Sequence, residues 1–155
     1  MDKAGLTLLV SDVRAQMDVI EVIYDKLDVR AAGLQPDDEI QLESAAYQLH
    51  NLYNAVEDLF QLVAAHFENQ IEVTGRWHTE LLRRMNQDIE GLRPALLSDE
   101  SYVLLNGLRS FRHFFRHAYA APIEYAQFRI NLEKAQRLRP YLRGDVERFL
   151  GQLQG

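Results

Sequence analysis

Apolar residues recur every three or four positions along most of the chain, a spacing that predicts α-helices. The first such stretch, from about residue 6 to 31, carries an apolar series made of Leu9, Val13, Met17, Ile20, Tyr24 and Leu27. Gly33 predicts the end of this helix. Pro36 and the acids that follow it, Asp37, Asp38 and Glu39, predict the start of a second helix that continues to about Phe67.

The middle of the chain predicts two more helices. A third is expected from about Trp77 to Gly91, where apolar residues return with helical spacing. Pro94 interrupts the pattern, and Ser98 is a suitable N-cap for a fourth helix. Pro122 predicts the end of that helix, because proline removes a backbone donor and restricts the residue before it.

The last third of the chain predicts a fifth helix from Ile123 to Leu138 and, after Pro140, a short sixth helix ending near Leu153. No segment alternates apolar and polar residues as a half-buried strand does. The sequence therefore predicts an all-α antiparallel helical bundle of about five to six helices, with residues 1–155 forming a single domain.

The composition indicates which classes of protein the chain can belong to. The chain has 155 residues, of which 47% are hydrophobic and 26% charged, as is ordinary for a globular protein. No apolar stretch is long enough to span a membrane, and Asp2 together with the short apolar run 6–10 does not resemble a signal peptide. There are no cysteines, so disulfides and thiolate metal sites are excluded and we expect a cytoplasmic protein.

The fourth predicted helix carries an unusual cluster of basic residues. Residues 109–119 contain three arginines, two histidines and a tyrosine, and no acid occurs between Glu100 and Glu124. On a helical wheel these polar residues form one connected arc: Arg109, Arg112, His113, Arg116, His117 and Tyr119. The opposite side is predicted to be a buried stripe of Leu104, Phe111, Phe114, Phe115 and Ala118. Leu105 falls inside the cationic arc, which predicts that a second surface covers this face.

Charge is distributed unevenly along the chain. The net charge is −6, but residues 1–100 hold 19 acids and 8 bases, whereas residues 101–155 hold 4 acids and 9 bases. Such asymmetry suggests a nucleic-acid partner or an acidic protein, and it could equally dock the two halves of one bundle against each other.

This cluster has the residue types needed to cut RNA without a metal. The reaction requires a base for the 2′-hydroxyl, a cation for the charge on phosphorus and an acid for the leaving oxygen. Arg112 and His117 are the candidate catalytic residues, His113 is an auxiliary candidate, and Arg109 and Arg116 are expected to hold the RNA backbone. Neighbouring arginines favour the neutral form of His117. Which histidine is the base and which the acid stays open.

The spacing of the two catalytic candidates predicts a dimer. Arg112 and His117 are five residues apart, so they diverge by about 140° on a helix and cannot easily meet on one phosphate. Two copies of the helix facing each other could supply Arg112 from one chain and His117 from the other.

The motif Arg112-x4-His117-x-Tyr119 resembles the signature of HEPN-domain ribonucleases, in the form found in HepT toxins of HepT–MntA toxin–antitoxin systems. His113 supplies the polar residue that this family usually has after the arginine. The stretch 76–82, Arg-Trp-His-Thr-Glu-Leu-Leu, is also similar to an element of one HepT-like subfamily.

The resemblance implies a set of functional properties. They are a site at a homodimer interface without a cofactor, attack by the 2′-oxygen, and a product with a 2′,3′-cyclic phosphate. They also include a cognate nucleotidyltransferase antitoxin that transfers AMP to Tyr119. The alternative is a non-catalytic HEPN bundle that binds a nucleotidyltransferase or another protein.

The sequence supports a metal site less well than it supports a ribonuclease site. His113 and His117 have metal-ligand spacing, but the arginines around them would repel a divalent ion, so no metal is expected there. Glu43, His50 and Glu57 recur every seven residues on the second helix, yet the chain has no Glu-x-x-His pair, so a polar stripe at a helix edge is the preferred interpretation.

Three further residues have only structural interpretations. His66 and His78 have no partners that the sequence reveals. Trp77 is predicted to anchor the start of the third helix in the core rather than to stack on a base.

Overall fold

The computed structural model describes residues 2–68, 76–117 and 121–155, except for the side chain of His117. The described residues form five helices: α1 Lys3–Ala31, α2 Glu39–Phe67, α3 Trp77–Met85, α4 Asp99–His117 and α5 Tyr125–Gln154. The prediction of an all-α bundle is therefore confirmed. The one β-type contact in this part of the chain is an isolated antiparallel bridge between Ile89 and Arg93.

Each long helix runs antiparallel to a neighbour. In the α1–α2 pair, Gln16 donates to the carbonyl of Ala55, whereas Arg30, near the other end of α1, donates to Ser44. Helices α4 and α5 are also antiparallel, since the backbone N–H of Ser98, just before α4, donates to Asp145 in the second half of α5, whereas Phe111 packs against Phe128 near the start of α5. Helix α2 also packs against α4, and this contact places the candidate site.

Side chains cap the helices where the sequence predicted starts. The carboxylate of Asp38 accepts a hydrogen bond from the backbone of Gln41 at 3.0 Å, and Ser98 Oγ accepts from the backbone N–H of Ser101 at 3.3 Å. These contacts satisfy N–H groups that have no partner inside the first helical turn. The N-cap role predicted for Ser98 is confirmed.

Helix α5 continues through Pro140, so the prediction of separate fifth and sixth helices is wrong. Proline removes one intrahelical hydrogen bond, but the buried series Leu132, Ala135, Leu138 and Leu142 keeps its spacing across that position. Arg139, beside the proline, also forms ion pairs with acids of α1. Packing on both sides of Pro140 therefore outweighs the lost bond.

Helix α3 is shorter than predicted. It ends at Met85 rather than at Gly91, and the chain then forms a turn closed by the bridge between Ile89 and Arg93. Gly91 lies in this turn with a φ of 77°, a left-handed conformation that side chains other than glycine rarely adopt.

The uneven charge distribution serves in part to hold the two halves together. Arg139 of α5 forms ion pairs with Glu21, Asp25 and Asp28 of α1, and Arg143 pairs with Glu21 as well. The docking interpretation of the charge asymmetry therefore holds for these two arginines. None of the described helices is both long enough and apolar enough to cross a membrane.

Candidate active site

Helix α4 is rotated relative to the sequence prediction. Its buried side includes Leu104, Leu105, Leu108, Phe111 and Arg112. Leu105 is 0% exposed within one chain, so the prediction that a second surface covers it is wrong. The physical reason is that α4 packs against both α2 and α5, and the core direction lies between the two contacts.

The same rotation moves part of the predicted stripe to the surface. Phe114 is 42% exposed rather than buried, and Phe115 is half-buried against the ring of His50, with the centroids 4.9 Å apart. The single connected cationic arc is also wrong, because Arg112 turns inward while His113 and Arg116 are exposed.

Arg112 enters the interface between α4 and α2. Its Nε donates a hydrogen bond to Asn54 Oδ1 at 3.1 Å and lies 3.9 Å from a carboxylate oxygen of Glu57. Its side chain is 11% exposed. Towards described residues, the two terminal nitrogens of this guanidinium donate no hydrogen bond. The described contacts therefore orient the arginine through Nε.

Asn54 links this arginine to His50, one turn earlier in α2. Arginine can only donate, so the amide oxygen of Asn54 faces Arg112 and its NH2 group faces His50 Nε2 at 3.0 Å. The imidazole must accept that bond, which requires it to be neutral with its proton on Nδ1. Burial, followed by the charges of Arg112 and Arg116, lowers the pKa of His50 and favours this neutral form.

Glu57 forms the other half of the network. One carboxylate oxygen lies near Arg112, and the other lies 2.7 Å from His78 Nδ1, in the first turn of α3. The imidazole of His78 in turn packs on Trp77, with ring centroids 3.7 Å apart. Burial raises the pKa of Glu57, although the contacts with His78 and Arg112 act in the opposite direction.

The other predicted site residues lie elsewhere on α4 or outside the described residues. Arg109 is half-buried and donates to Asn106 of the preceding turn, at 3.2 Å from Nη2. His113 and Arg116 are exposed on α4, and His117 is the last residue of that helix. Tyr119, and Ala118 of the predicted stripe, lie outside the described residues.

Four residues of the network were not assigned to the site from sequence. They are His50, Asn54, Glu57 and His78. For the first three a signal existed, because these polar positions interrupt α2, which is otherwise buried on several sides. The interpretation as a polar stripe at a helix edge is wrong for Glu57, which is buried, whereas His50 is half-buried and Glu43 is exposed as expected.

The other weighed residues have structural contacts. His66 lies 3.6 Å from a carboxylate oxygen of Asp12 in α1, and Trp77 is partly buried against the core, as predicted. Within the part of the chain that the structure describes, no three His, Asp or Glu side chains gather in a way that could hold a metal ion.

Comparison with known proteins identifies the family. The model of the family described as HepT-like protein matches residues 44–153, which include α3 to α5, most of α2 and the whole polar network. No curated protein and no solved structure matches the chain. Because the family match covers well over half of the chain, the protein belongs to the HepT-like family of the HEPN superfamily.

Proposed function

We propose that this protein is a metal-independent endoribonuclease of the HEPN type and the toxin of a toxin–antitoxin pair. The observation that carries the proposal is the orientation of Arg112 by Asn54 and Glu57, on the same helix as His113 and His117. A guanidinium fixed at one nitrogen is suited to bind phosphate oxygens with its remaining donors. The family match supports the same class of protein.

The reaction follows from the residue types. A histidine takes the proton of a ribose 2′-hydroxyl, and the 2′-oxygen forms a bond to the adjacent phosphorus. The bond from phosphorus to the 5′-oxygen breaks, and an acid protonates that oxygen. The products carry a 2′,3′-cyclic phosphate and a 5′-hydroxyl, so all atoms are accounted for without water or a metal.

Each residue has a role in this scheme. Arg112 stabilises the negative charge that develops on the phosphorane oxygens. His117 transfers a proton, with His113 as the auxiliary group, and the assignment of base and acid between them stays open. Arg109 and Arg116 hold flanking phosphates of the RNA.

We place the site between two copies of the chain. Arg112 points towards α2, whereas position 117 comes nine residues after the buried Leu108, about 180° round the helix. One chain therefore directs the two positions to different sides of α4. A homodimer with facing α4 helices would combine Arg112 of one chain with His117 of the other.

We further propose regulation by a cognate nucleotidyltransferase antitoxin. The phenol oxygen of Tyr119 would attack the α-phosphorus of ATP, with loss of pyrophosphate, and leave AMP on the tyrosine. Tyr119 comes seven residues after Arg112, two helical turns along if α4 continued. An attached phosphate there would compete with RNA for the arginines.

The test is cleavage of cellular RNA by the purified protein in excess EDTA. We expect cyclic-phosphate ends, a loss of about 10²–10³-fold in rate for Arg112→Ala and of about 10²–10⁴-fold for His117→Ala. Arg129→Ala, on the exposed side of α5, is the matched control and should cut as the wild type does. Loss of activity on chelation would contradict the metal-independent reaction.

The alternative, a non-catalytic bundle that binds a nucleotidyltransferase or another protein, makes a different prediction in the same assay. A dimer that binds such a partner but leaves RNA intact at every protein concentration would favour it.

A further inference from the structure

We propose that Glu57 is a positioning residue of this site, which holds the guanidinium of Arg112 in place and is itself held by His78. The inference rests on the proposed ribonuclease function and assigns a role to a carboxylate of α2 that does not belong to the Arg112-x4-His117 motif. Glu57 would act through Arg112 and would not itself contact RNA.

The contacts of Glu57 divide its two oxygens between two helices. Oε1 lies 3.9 Å from Arg112 Nε in α4, and Oε2 lies 2.7 Å from His78 Nδ1 in α3. The carboxylate is therefore hydrogen-bonded to His78 on one side and lies within ion-pair distance of Arg112 on the other. Because Asn54 holds the same Nε from the neighbouring turn of α2, Arg112 is located by two separate side chains.

Glu57 is more deeply buried than a carboxylate whose ion pairs only hold two helices together. Its side chain is 5% exposed, and burial raises its pKa despite two favourable partners. Glu21 is the contrast: contacts with Arg143 and Arg139 lower its pKa, so its charge stabilises the α1–α5 pairing. A carboxylate that is costly to bury next to Arg112 is better explained by the geometry of the arginine than by stability.

Asn54 and Glu57 both lie at Nε, and among the described residues neither terminal nitrogen of the guanidinium has a hydrogen-bond partner, so we assign their four N–H donors to two phosphate oxygens. Misplacement of such a group by even 1 Å costs about 10²-fold in rate. Loss of the Glu57 charge should therefore affect turnover more than RNA binding.

The experiment compares Glu57→Gln with Glu21→Gln in the full chain. Glutamine keeps the shape of glutamate and a hydrogen-bond acceptor for His78, but it removes the charge that attracts Arg112. For Glu57→Gln we expect kcat to fall by about 10- to 100-fold, KM to change by less than about threefold, and the free energy of unfolding at pH 7 to stay equal or rise. For Glu21→Gln we expect unchanged kcat and a lower free energy of unfolding.

Two results would overturn the positioning role. One is a kcat of Glu57→Gln within about twofold of the wild type. The other is a loss of kcat accompanied by a lower free energy of unfolding, as a purely structural carboxylate would give.

A second measurement separates this inference from the proposed function. The Nε–Hε signal of Arg112 can be followed by NMR without any RNA. If the wild type cuts no RNA, the ribonuclease proposal fails, but Glu57→Gln should still shift this signal and speed the exchange of its proton with water. An unchanged signal would contradict the positioning role, whatever the activity.

Discussion

Asn54 of α2 accepts a hydrogen bond from Nε of Arg112 in α4, with 3.1 Å between the two atoms. This contact fixes which end of the Asn54 amide faces each neighbour, and therefore which protonation state of His50 fits. The same amide thus orients Arg112 and donates to the neutral form of His50.

Asn54→Ala should weaken the hold on Arg112. We expect a fall in the RNA cleavage rate of about 10-fold, because a misplaced guanidinium stabilises the transition state less well. Asn51→Ala is the control, since Asn51 is a partly buried amide in the same helix that makes no hydrogen bond to Arg112. Equal rates for both variants and the wild type would contradict the role of Asn54.

Arg109→Ala and Arg116→Ala should bind RNA more weakly and with a shallower salt dependence. Each arginine that neutralises a phosphate releases counterions, so the slope of log K against log salt should fall by about one for each variant. The measurement is RNA binding by a cleavage-defective protein at several salt concentrations, with Arg129→Ala as the control. An unchanged slope would mean that these arginines do not contact the RNA backbone.

His50 should make stability depend on pH. Its pKa is lowered in the folded protein, so below the ordinary value of 6.5 the unfolded chain takes up the proton first. The contribution of His50 to stability is therefore present above pH 6.5 and is lost as the pH falls from 6.5 to the lowered pKa.

Urea unfolding at a series of pH values between 5 and 8 measures this contribution, with His50→Gln as the comparison. Glutamine offers Asn54 an acceptor but does not titrate in this range, so the wild type should lose stability relative to the variant as the solution becomes acidic. If the free energies of unfolding of the two proteins differed by the same amount at every pH, His50 would have an unperturbed pKa.

Co-expression with a nucleotidyltransferase antitoxin should add the mass of AMP to a peptide that contains Tyr119. The modified protein should lose RNA cleavage, because the added phosphate competes for the arginines that bind RNA. Tyr119→Phe lacks the phenol oxygen and should remain unmodified and active, whereas Tyr125→Phe should be modified as the wild type is. Modification without loss of activity would contradict the regulatory role.

Periodicity was a good guide to where helices occur, although the ends of α3 and α5 differ from the predicted ones. The spacing of apolar residues predicted α1, α2 and α4 closely, because buried apolar residues recur along each of these helices. Proline usually ends a helix, but the apolar series continues on both sides of Pro140 and α5 continues with it. For α5, long-range packing decides the outcome.

The candidate site was predictable only in part. The basic cluster was visible in sequence, but the direction in which Arg112 points depends on how α4 sits between α2 and α5. The partners that hold it come from positions 54 and 57, and nothing in a single sequence pairs them with residue 112. His78 was overlooked for the same reason, since its partner Glu57 is 21 residues away.

The 58 residues that separate Asn54 from Arg112 have a consequence for the synthesis of the protein. On the ribosome, α1 and α2 emerge first, and Asn54 and Glu57 are then without the arginine that they orient. No nascent chain can hold the site until residue 112 has left the exit tunnel and α4 has folded back onto α2. The ribonuclease proposed above would therefore be inactive for most of its own translation.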